Sequence, residues 1–367
     1  LMLDVTDSTW QLDRKKKSRS FQDVSKTFQE VAEKIHSCIF HCENKVTGEL
    51  ILQYQETDWE FLKRLASKCN TMIYADMTSE HMALYFGVNG QKKAIKPELY
   101  DCIRERNLEK NTYACIFESP DFINIGDVVE LDGRKLVVDQ MQMNAKKAQL
   151  VGTYHAMPAE DCMYPVIYCP EMAGAALQGT VIESQKDKVK VHLAIDEGKE
   201  SADVYLFPFS AMQASSDGSG WYYMPEVGDC VKVCIPAWEE KGAFAVSAVS
   251  TYDGAADAQD MMGDTSVKYM RNPTGKQIQL TPGGIAADGG GQASGLQMGT
   301  DGTIAFTGKQ AVTMESSESI TIVAMGDLNI HADETIDIKA ETTGELVFDD
   351  AGEITELGGQ VNINAEE

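Results

Sequence analysis

A group of histidines and cysteines near residue 40 has the residue types of a metal site. His36, Cys38, His41 and Cys42 fall within one short stretch. A structural zinc ion takes four converging ligands, and zinc motifs normally supply them as two separated pairs. No second His or Cys pair follows at a suitable spacing. We therefore expect these residues to pack rather than to hold a metal, and we expect no other cofactor.

Other reactive residues do not form a catalytic motif. There is no Gly-x-Ser-x-Gly element, and the glycine run 289–291 does not join a strand to a helix as a phosphate-binding loop does. Pairs such as Asp349 and Asp350 are common in an acidic chain, so they are weak candidates for glycoside hydrolysis. Cys230 and Cys234 fall on one face of a predicted strand and suit a core of small residues. No catalytic residue is predicted, so we do not expect an enzyme.

Charge and cysteine content limit the partners and the compartment. Asp and Glu outnumber Lys and Arg by 57 to 32, which gives a net charge of −25. Such a charge opposes binding to nucleic acids or anionic lipids, so no nucleic-acid partner is expected. The nine cysteines lack the spacing of a disulfide framework, which favours reduced thiols and cytoplasmic assembly. No signal peptide and no bilayer-spanning run is predicted.

The chain changes character near residue 250. Residues 251–367 contain no Cys and no Trp, but they carry 17 of the 30 glycines. They also have 20 acidic residues against 5 basic ones. This composition favours a fibre over a packed globule.

An eight-residue repeat occupies much of this second part. Six pairs read apolar, other, apolar, which is the alternation of a short strand. The pairs are Leu296/Met298, Ile304/Phe306, Val312/Met314, Ile320/Ile322, Leu328/Ile330 and Ile336/Ile338.

A period of eight residues provides about one short strand and one corner, which is too little for a single chain to enclose a core. Fixed-period stacking is how such repeats bury their apolar faces, and three chains winding together would close each layer. The repeat therefore predicts a homotrimer with a triangular β-helix needle whose core holds the twelve paired residues. The alternation resumes near the end of the chain, where Val361, Asn362, Ile363 and Asn364 are the predicted contact for a separate tip protein.

Two packing helices are predicted nearer the N-terminus. Apolar residues at three- and four-residue steps indicate an amphipathic helix over residues 21–35. Thr57 and Glu60 have the spacing of a capping box, which predicts the start of a second helix.

Most of the remaining N-terminal part has strand patterns. Residues 128–131 and 135–138 flank a turn at Gly133, as in a hairpin. Five further strands, over 179–184, 188–194, 204–207, 230–235 and 244–249, suit a small barrel of the OB type. The predicted fold is mainly β with two or so packing helices. We divide it into hub barrels at 1–160, a linker at 161–173, an OB collar at 174–250, a linker at 251–277 and the needle at 278–367.

Three segments carry a family resemblance. Residues 53–66, Gln-Tyr-Gln-Glu-Thr-Asp-Trp-Glu-Phe-Leu-Lys-Arg-Leu-Ala, closely resemble the hallmark helix of the VgrG and phage baseplate hub family. Residues 224–233 contain Pro225, Gly228, Asp229 and Val231, which resemble the P-x-x-G-D-x-V stretch of that family's OB domain. The octads that follow residues 272–275 resemble its triangular β-helix.

The resemblance implies a trimeric hub and spike of a contractile injection system. The hub barrels, of which the first looks incomplete, would form a pseudo-sixfold ring on which the inner tube is built. The OB domain would be a collar that meets baseplate proteins, and the needle would carry a PAAR-like tip protein or effector cargo into a target cell envelope. Such particles assemble in the bacterial cytoplasm and are delivered outside the cell or into the target. We expect no fused lysozyme or toxin domain.

Other functions stay open from the sequence. A β-helical polysaccharide-degrading enzyme, or a spike with a hidden hydrolase activity, is the main alternative, although the strict period of eight disfavours the longer coils of a depolymerase. A trimeric adhesin would share the fibre but would not need the helix at residue 57 or the collar. Phage tail, tailocin, extracellular injection system and type VI-like apparatus are not distinguished.

Overall fold

A computed structural model gives the conformation of most of the chain. It describes residues 8–76, 78, 82–107, 112–146, 149–196, 198, 204–212, 215, 219–248, 263–291, 294–340, 344–348 and 354–357. The chain separates into two units, Leu1–Asp253 and Gly254–Glu367. Strands dominate both units, so the fold is mainly β, as predicted. The predicted tip residues Val361, Asn362, Ile363 and Asn364 lie outside the described residues.

The first unit begins with two helices and two small sheets. Its elements are β1 (Lys17–Phe21), α1 (Phe28–Glu33), β2 (Cys38–Phe40), β3 (Ile51–Glu56), α2 (Asp58–Lys68), β4 (Ile73–Ala75) and β5 (Leu84–Phe86). β1 pairs with β3, and the second sheet has the order β2-β5-β4. No helix in the described part of the chain has the length and apolarity needed to cross a bilayer.

The two helices differ in how well the sequence predicted them. The Thr57 amide donates to the Glu60 carboxylate at 2.9 Å and the Glu60 amide donates to Thr57 Oγ1 at 3.1 Å, so the predicted capping box is confirmed. The predicted first helix was wrong at its start, because Phe21 belongs to β1 and faces Ile51 of β3. That helix begins only after its own capping residue, Thr27.

A five-stranded antiparallel sheet follows. It contains β6 (Asp101–Asn107), β7 (Thr112–Ser119), β8 (Val128–Leu131), β9 (Arg134–Lys146) and β10 (Gln149–Met157), in the order β6-β7-β10-β9-β8. The hairpin predicted at Gly133 is confirmed, since Leu131 pairs with Arg134. Asp132 and Gly133 both have positive φ, 48° and 74°, which matches the twist of a two-residue hairpin turn.

The last sheet of the first unit closes on itself. It contains β11 (Ala176–Gln185), β12 (Lys188–Leu193), β13 (Leu206–Pro208), β14 (Cys230–Cys234) and β15 (Phe244–Ser247), in the order β13-β12-β11-β14-β15. A parallel bridge between Phe209 and Ala245 joins the chain after β13 to β15, and the Ser210 amide donates to the Ala245 carbonyl at 2.8 Å. The core of this barrel also contains Leu50 and Leu52 from the β3 region, so the barrel and the N-terminal sheets share a core.

The second unit has two antiparallel sheets. One is a meander of β16 (Lys268–Arg271), β17 (Gln277–Thr281), β18 (Gly284–Asp288), β19 (Ser294–Gly299) and β20 (Ile304–Gly308), paired in that order. The other contains β21 (Ile336–Ala340), β22 (Gly344–Phe348) and β23 (Ile354–Leu357). Residues 309–335 lie between the two sheets and form no strand.

Candidate assembly surface

The β16–β20 meander has one apolar face. Residues paired across antiparallel strands project from the same face, so the register identifies the members of each face. Two rows run across the sheet: Met270, Ile278, Ala287, Leu296 and Phe306 form one, and Leu280, Ile285, Met298 and Ile304 form the other. The sheet therefore presents nine apolar residues on a single side.

Residues 263–291 and 294–338 do not cover this face. Ile304 is 64% exposed and Phe306 is 58% exposed, and none of the residues in these two ranges is buried. Exposure of this surface to water is unfavourable, because burial of each side chain of this size stabilises a fold by about 1.5–3 kcal/mol. Large continuous apolar patches normally mark an interface. The sheet face is thus a candidate for contact with other chains.

The predicted needle core divides between strands and an open segment. Leu296, Met298, Ile304 and Phe306 lie in β19 and β20, where they are part of the apolar face, and Ile336 and Ile338 lie in β21. Six of the remaining predicted residues lie in the open segment 309–335 and are exposed: Val312, Met314, Ile320, Ile322, Leu328 and Ile330.

Segment 309–335 also lacks a hydrogen-bonded ladder. No backbone hydrogen bond joins it to another described residue, although every residue of the segment is itself described. Strands leave their amide and carbonyl groups unpaired at an edge unless another strand binds there. The segment therefore offers both apolar side chains and free backbone groups. Closure of three copies around this repeat stays a prediction.

Sequence reasoning missed the first part of the apolar face. Met270, Ile278, Leu280 and Ile285 precede the octads, yet they continue the same two rows. A signal was present, because Ile278 and Leu280 flank a polar residue in the same apolar, other, apolar pattern. The spacing between strands is not eight residues there, so the eight-residue period does not include these residues.

The cysteine and histidine group near residue 40 does not converge. His36 Nδ1 lies 3.0 Å from the Ser37 carbonyl, His41 stacks on Tyr85, and Cys38 is buried. Among the residues that the structure describes, no three His, Cys, Asp or Glu side chains are grouped as metal ligands. Asp349 and Asp350 lie outside those residues.

The prediction that Cys230 and Cys234 belong to a core was wrong. Both lie on one face of β14, but Val231 and Val233 occupy the buried face, and Cys230 is exposed. Strand alternation in the sequence predicts which residues share a face of β14, but it does not predict which of the two faces is buried. The larger Val side chains gain more from burial, which determines the orientation of the strand.

A buried cluster of charges joins α2 to the barrel. Arg64 is fully buried and forms a two-pronged contact with Glu56, in which Nε and Nη2 each donate at 2.8 Å to a separate carboxylate oxygen. Its Nη1 donates to Glu240 at 2.9 Å. Glu240 follows β14, so this guanidinium helps to hold the helix against the barrel.

Glu240 is surrounded by donors. Lys68 Nζ lies 3.0 Å from its carboxylate, and the Leu52 amide donates to it at 3.0 Å. Burial alone would raise the pKa of Glu240, but the charges of Arg64 and Lys68 hold it below its usual value. Although burial disfavours a charged Arg64, Glu56 and Glu240 raise its pKa. These shifts favour the charged forms of Arg64 and Glu240 at neutral pH.

Comparison with known proteins gives limited relationships. No protein-family model matches the chain, and no curated protein matches it in sequence. Among solved structures, it is similar to the tail protein from Neisseria meningitidis MC58, with a TM-score of 0.35 and 9% identity over 42% of this chain and 75% of that chain. It is also similar to the lidded Francisella PdpA-VgrG complex, with a TM-score of 0.47 and 8% identity over 82% of this chain and 64% of that chain. The half-lidded form of that complex gives a TM-score of 0.47 and 9% identity over 82% and 70% of the two chains.

Proposed function

We propose that this chain is the trimeric hub and spike subunit of a contractile injection system. In this role it nucleates the inner tube, contacts baseplate proteins, and carries a tip protein or effector cargo towards a target cell envelope. It assembles in the bacterial cytoplasm and is delivered outside the cell or into the target. The force comes from the contracting machine, and the chain itself catalyses no reaction.

The uncovered apolar surface of the second unit is the observation that carries this proposal. Three copies of the β16–β20 sheet would form a triangular prism with their apolar faces inward. The five strands of each sheet, at about 4.8 Å spacing, span about 20 Å along the prism. In the part of the chain that follows this sheet, the exposed apolar residues of segment 309–335 would face one shared axis. The backbone groups of that segment would pair between chains.

The first unit supports the hub and collar roles. The hallmark-like segment, residues 53–66, overlaps β3 and the capped helix α2, and its Arg64 binds Glu240 of the barrel. The barrel's strand order, with β13 and β15 brought together at the closure, supports the OB-type collar that we propose. Together these features favour a structural role, in which the first unit is a rigid base for a needle. They do not favour an enzyme with an open cleft.

Mass measurement of the full chain tests the proposal. Light scattering at micromolar concentration should give three times the chain mass of 40.3 kDa, and negative-stain images should show a shaft on a broader head. A stable monomer, or a trimer without a shaft, would contradict the proposal.

A second measurement separates the spike from the enzymatic alternative. Purified trimer should release no soluble fragments from peptidoglycan or acidic glycans. Reproducible cleavage that disappears on replacement of a single carboxylate would favour the polysaccharide-degrading alternative instead.

The tip contact is part of the proposal. Val361, Asn362, Ile363 and Asn364 would meet a small tip protein, since the last apolar layer of a needle needs a cover. Particles that carry Ile363→Asp should lose tip density in electron microscopy, whereas Asn362→Asp should keep it. Equal tip density in both particles would argue against this contact.

A further inference from the structure

A cavity of about 220 Å³ lies in the first unit, between the end of β4 and the turn that precedes β8. Tyr74, Asp76, Asn124 and Asp127 are among the residues that line it. The turn is closed by two hydrogen bonds, because the Asp127 amide donates to the Asn124 carbonyl at 3.1 Å and the Asn124 amide donates to the Asp127 carboxylate at 3.1 Å. A cavity of about 150 Å³ can hold benzene, so this one has room for a small organic molecule.

Two buried polar atoms of the lining have no partner. Tyr74 is 4% exposed and Asn124 is 9% exposed. Neither the Tyr74 hydroxyl nor Asn124 Oδ1 has a hydrogen-bond partner among the residues that the structure describes. The amide of Asn124 is oriented by its other end, since Nδ2 donates to Asp76 Oδ1 at 2.8 Å. Unpaired buried polar groups are rare and unfavourable, so both atoms mark a position where a ligand can bind.

Gly126 allows the Tyr74 ring to approach the turn. A Cβ atom at Gly126 would lie 2.4 Å from the Tyr74 hydroxyl oxygen, and the φ of 83° also favours glycine. Burial is the main cause that raises the pKa of Tyr74, followed by the neighbouring Tyr85 and the two carboxylates. The Tyr74 hydroxyl is therefore neutral and lies beside the Asn124 turn.

The charged groups of the cavity leave a net negative charge. The Thr78 hydroxyl and amide donate to Asp76 Oδ1 at 2.7 and 2.9 Å, and these bonds lower the pKa of Asp76. Lys92 Nζ lies 3.1 Å from Asp127 Oδ1. Two carboxylates against one ammonium favour a cationic ligand over an anionic one.

The hydrogen-bonding groups distinguish between kinds of cation. A primary ammonium has three N–H donors, and Asn124 Oδ1, the Tyr74 hydroxyl oxygen and the Asp76 carboxylate can accept them. Lys92 shows that the Asp127 carboxylate already binds a group of this kind. Calcium takes roughly six to eight oxygen ligands, and the described residues contain no group of three His, Cys, Asp or Glu side chains suited to a metal. An ammonium therefore fits better than a metal ion.

We propose that this cavity is a binding site for a small primary alkylammonium ion. The ammonium group would donate to Asn124 Oδ1, the Tyr74 hydroxyl oxygen and the Asp76 carboxylate. Its alkyl chain would lie against Phe122 and Ile125, which also line the cavity. Phe122 is 52% exposed, so an alkyl chain can cover apolar surface there. The site does not rest on the proposed role of the chain in a spike.

Calorimetric titration of the full chain with n-butylammonium chloride, at neutral pH and fixed ionic strength, tests the site. We expect saturable binding to one site per chain. Tetramethylammonium has the same charge but no N–H donor, so it should bind at least about tenfold more weakly. This control also accounts for the general attraction of cations to a chain with a net charge of −25.

Three results of these titrations would overturn the proposal. Absence of saturable n-butylammonium binding would mean that the cavity holds water only. Equal affinity for tetramethylammonium would mean that charge alone is recognised. Displacement of n-butylammonium by an equal concentration of calcium chloride would assign the cavity to a metal ion.

Removal of one hydroxyl tests the assigned contact. Tyr74→Phe keeps the ring that stacks on Tyr85 at 5.2 Å, and it should weaken n-butylammonium binding about tenfold. The ligand-free variant should be at least as stable as the wild type, because the hydroxyl that it loses is unpaired. Tyr164→Phe is the matched control, since the Tyr164 hydroxyl lies outside the cavity lining and donates to the Ile73 carbonyl at 3.2 Å. It should lower stability and leave affinity unchanged. Unchanged affinity in Tyr74→Phe, or equal loss in both variants, would overturn the proposal.

A second substitution tests the charge balance. Lys92→Met removes the ammonium that competes for the carboxylates, so n-butylammonium should bind a few-fold more tightly. Lys96→Met is the control, because Lys96 pairs with Glu130 outside the cavity lining and should not affect binding. Weaker binding in Lys92→Met than in Lys96→Met would overturn the assignment of a cationic ligand.

Discussion

The two units use the same strand alternation but cover their apolar faces differently. Every buried apolar residue of the described chain belongs to the first unit, where four core clusters lie between Phe28 and Ala245. In the second unit, residues 263–291 and 294–338 include no buried residue, although the strands there alternate just as regularly. Alternation therefore specifies a face, and only the surrounding chain decides whether that face becomes a core. The first unit covers its own apolar faces, whereas the proposed trimer would cover those of the second unit with other copies.

The largest effect should follow from charging the proposed needle axis. Ile322→Asp would place three carboxylates together where three chains meet, and each chain would also lose an apolar contact worth about 1.5–3 kcal/mol. We expect the shaft to fray or the trimer to dissociate. Thermal unfolding followed by light scattering would measure the loss.

Thr321→Asp is the matched control for this change. The neighbouring side chain projects to the opposite side of a strand, so its replacement should leave the trimer nearly unchanged. Equal damage from both variants would contradict the assigned register, and greater damage from Thr321→Asp would reverse it.

A smaller effect, confined to the first unit, should follow from breaking the buried charge cluster. Arg64→Met leaves Glu56 and Glu240 without their shared partner, and loss of one member of a buried ion pair typically costs about 3–5 kcal/mol. Denaturant unfolding should show this loss, whereas the apolar contacts of the second unit should be unaffected. Lys63→Met, on the same helix but only half-buried, should cost much less. Similar losses would mean that the cluster does not join helix and barrel.

Removal of the α2 cap should have an effect of about 1 kcal/mol. Thr57→Ala takes away the oxygen that accepts the Glu60 amide, and such a loss typically costs about 0.5–2 kcal/mol. Thr57→Ser retains that oxygen and should stay close to wild type. Chemical denaturation of the three proteins would compare them, and a Ser variant as unstable as the Ala variant would point to lost methyl packing.

The smallest effect should be a pH dependence of the first unit. His155 Nδ1 donates to Asp139 at 2.5 Å, and this bond raises the pKa of His155 above its usual value of 6.5. A raised folded-state pKa means that the contribution is complete below pH 6.5 and disappears as the pH rises through the higher folded-state value. Stability should therefore fall across that window. His155→Gln should flatten the profile, and an unchanged slope would assign it to another group.

Features that depend on neighbouring residues were predicted correctly from the sequence, whereas contacts between distant segments were not. The capping box at Thr57 and the hairpin turn at Gly133 depend on residues within a few positions, so the sequence predicted both. The first helix was placed too early because Phe21 fits a helical spacing, while its actual pairing is with Ile51, thirty residues away. No residue pattern near β1 indicates that it will pair with β3.

The site residues show the same division. The octad pairs were recognisable from spacing alone, since the period itself carries the information. By contrast, Arg64 and Glu240 lie 176 positions apart, and no pattern in either segment predicts that they meet. This contact follows from topology, which a single sequence does not supply.

The open segment 309–335 has a consequence for the order of assembly. Chains emerge from the ribosome N-terminus first, and domains generally fold as they appear. The first unit is therefore synthesised before segment 309–335. In the proposed trimer, the tethered C-terminal segments would have a high effective concentration for one another, which would make their pairing an intramolecular step. Tethering thus shortens the time for which exposed strand edges are available to wrong partners.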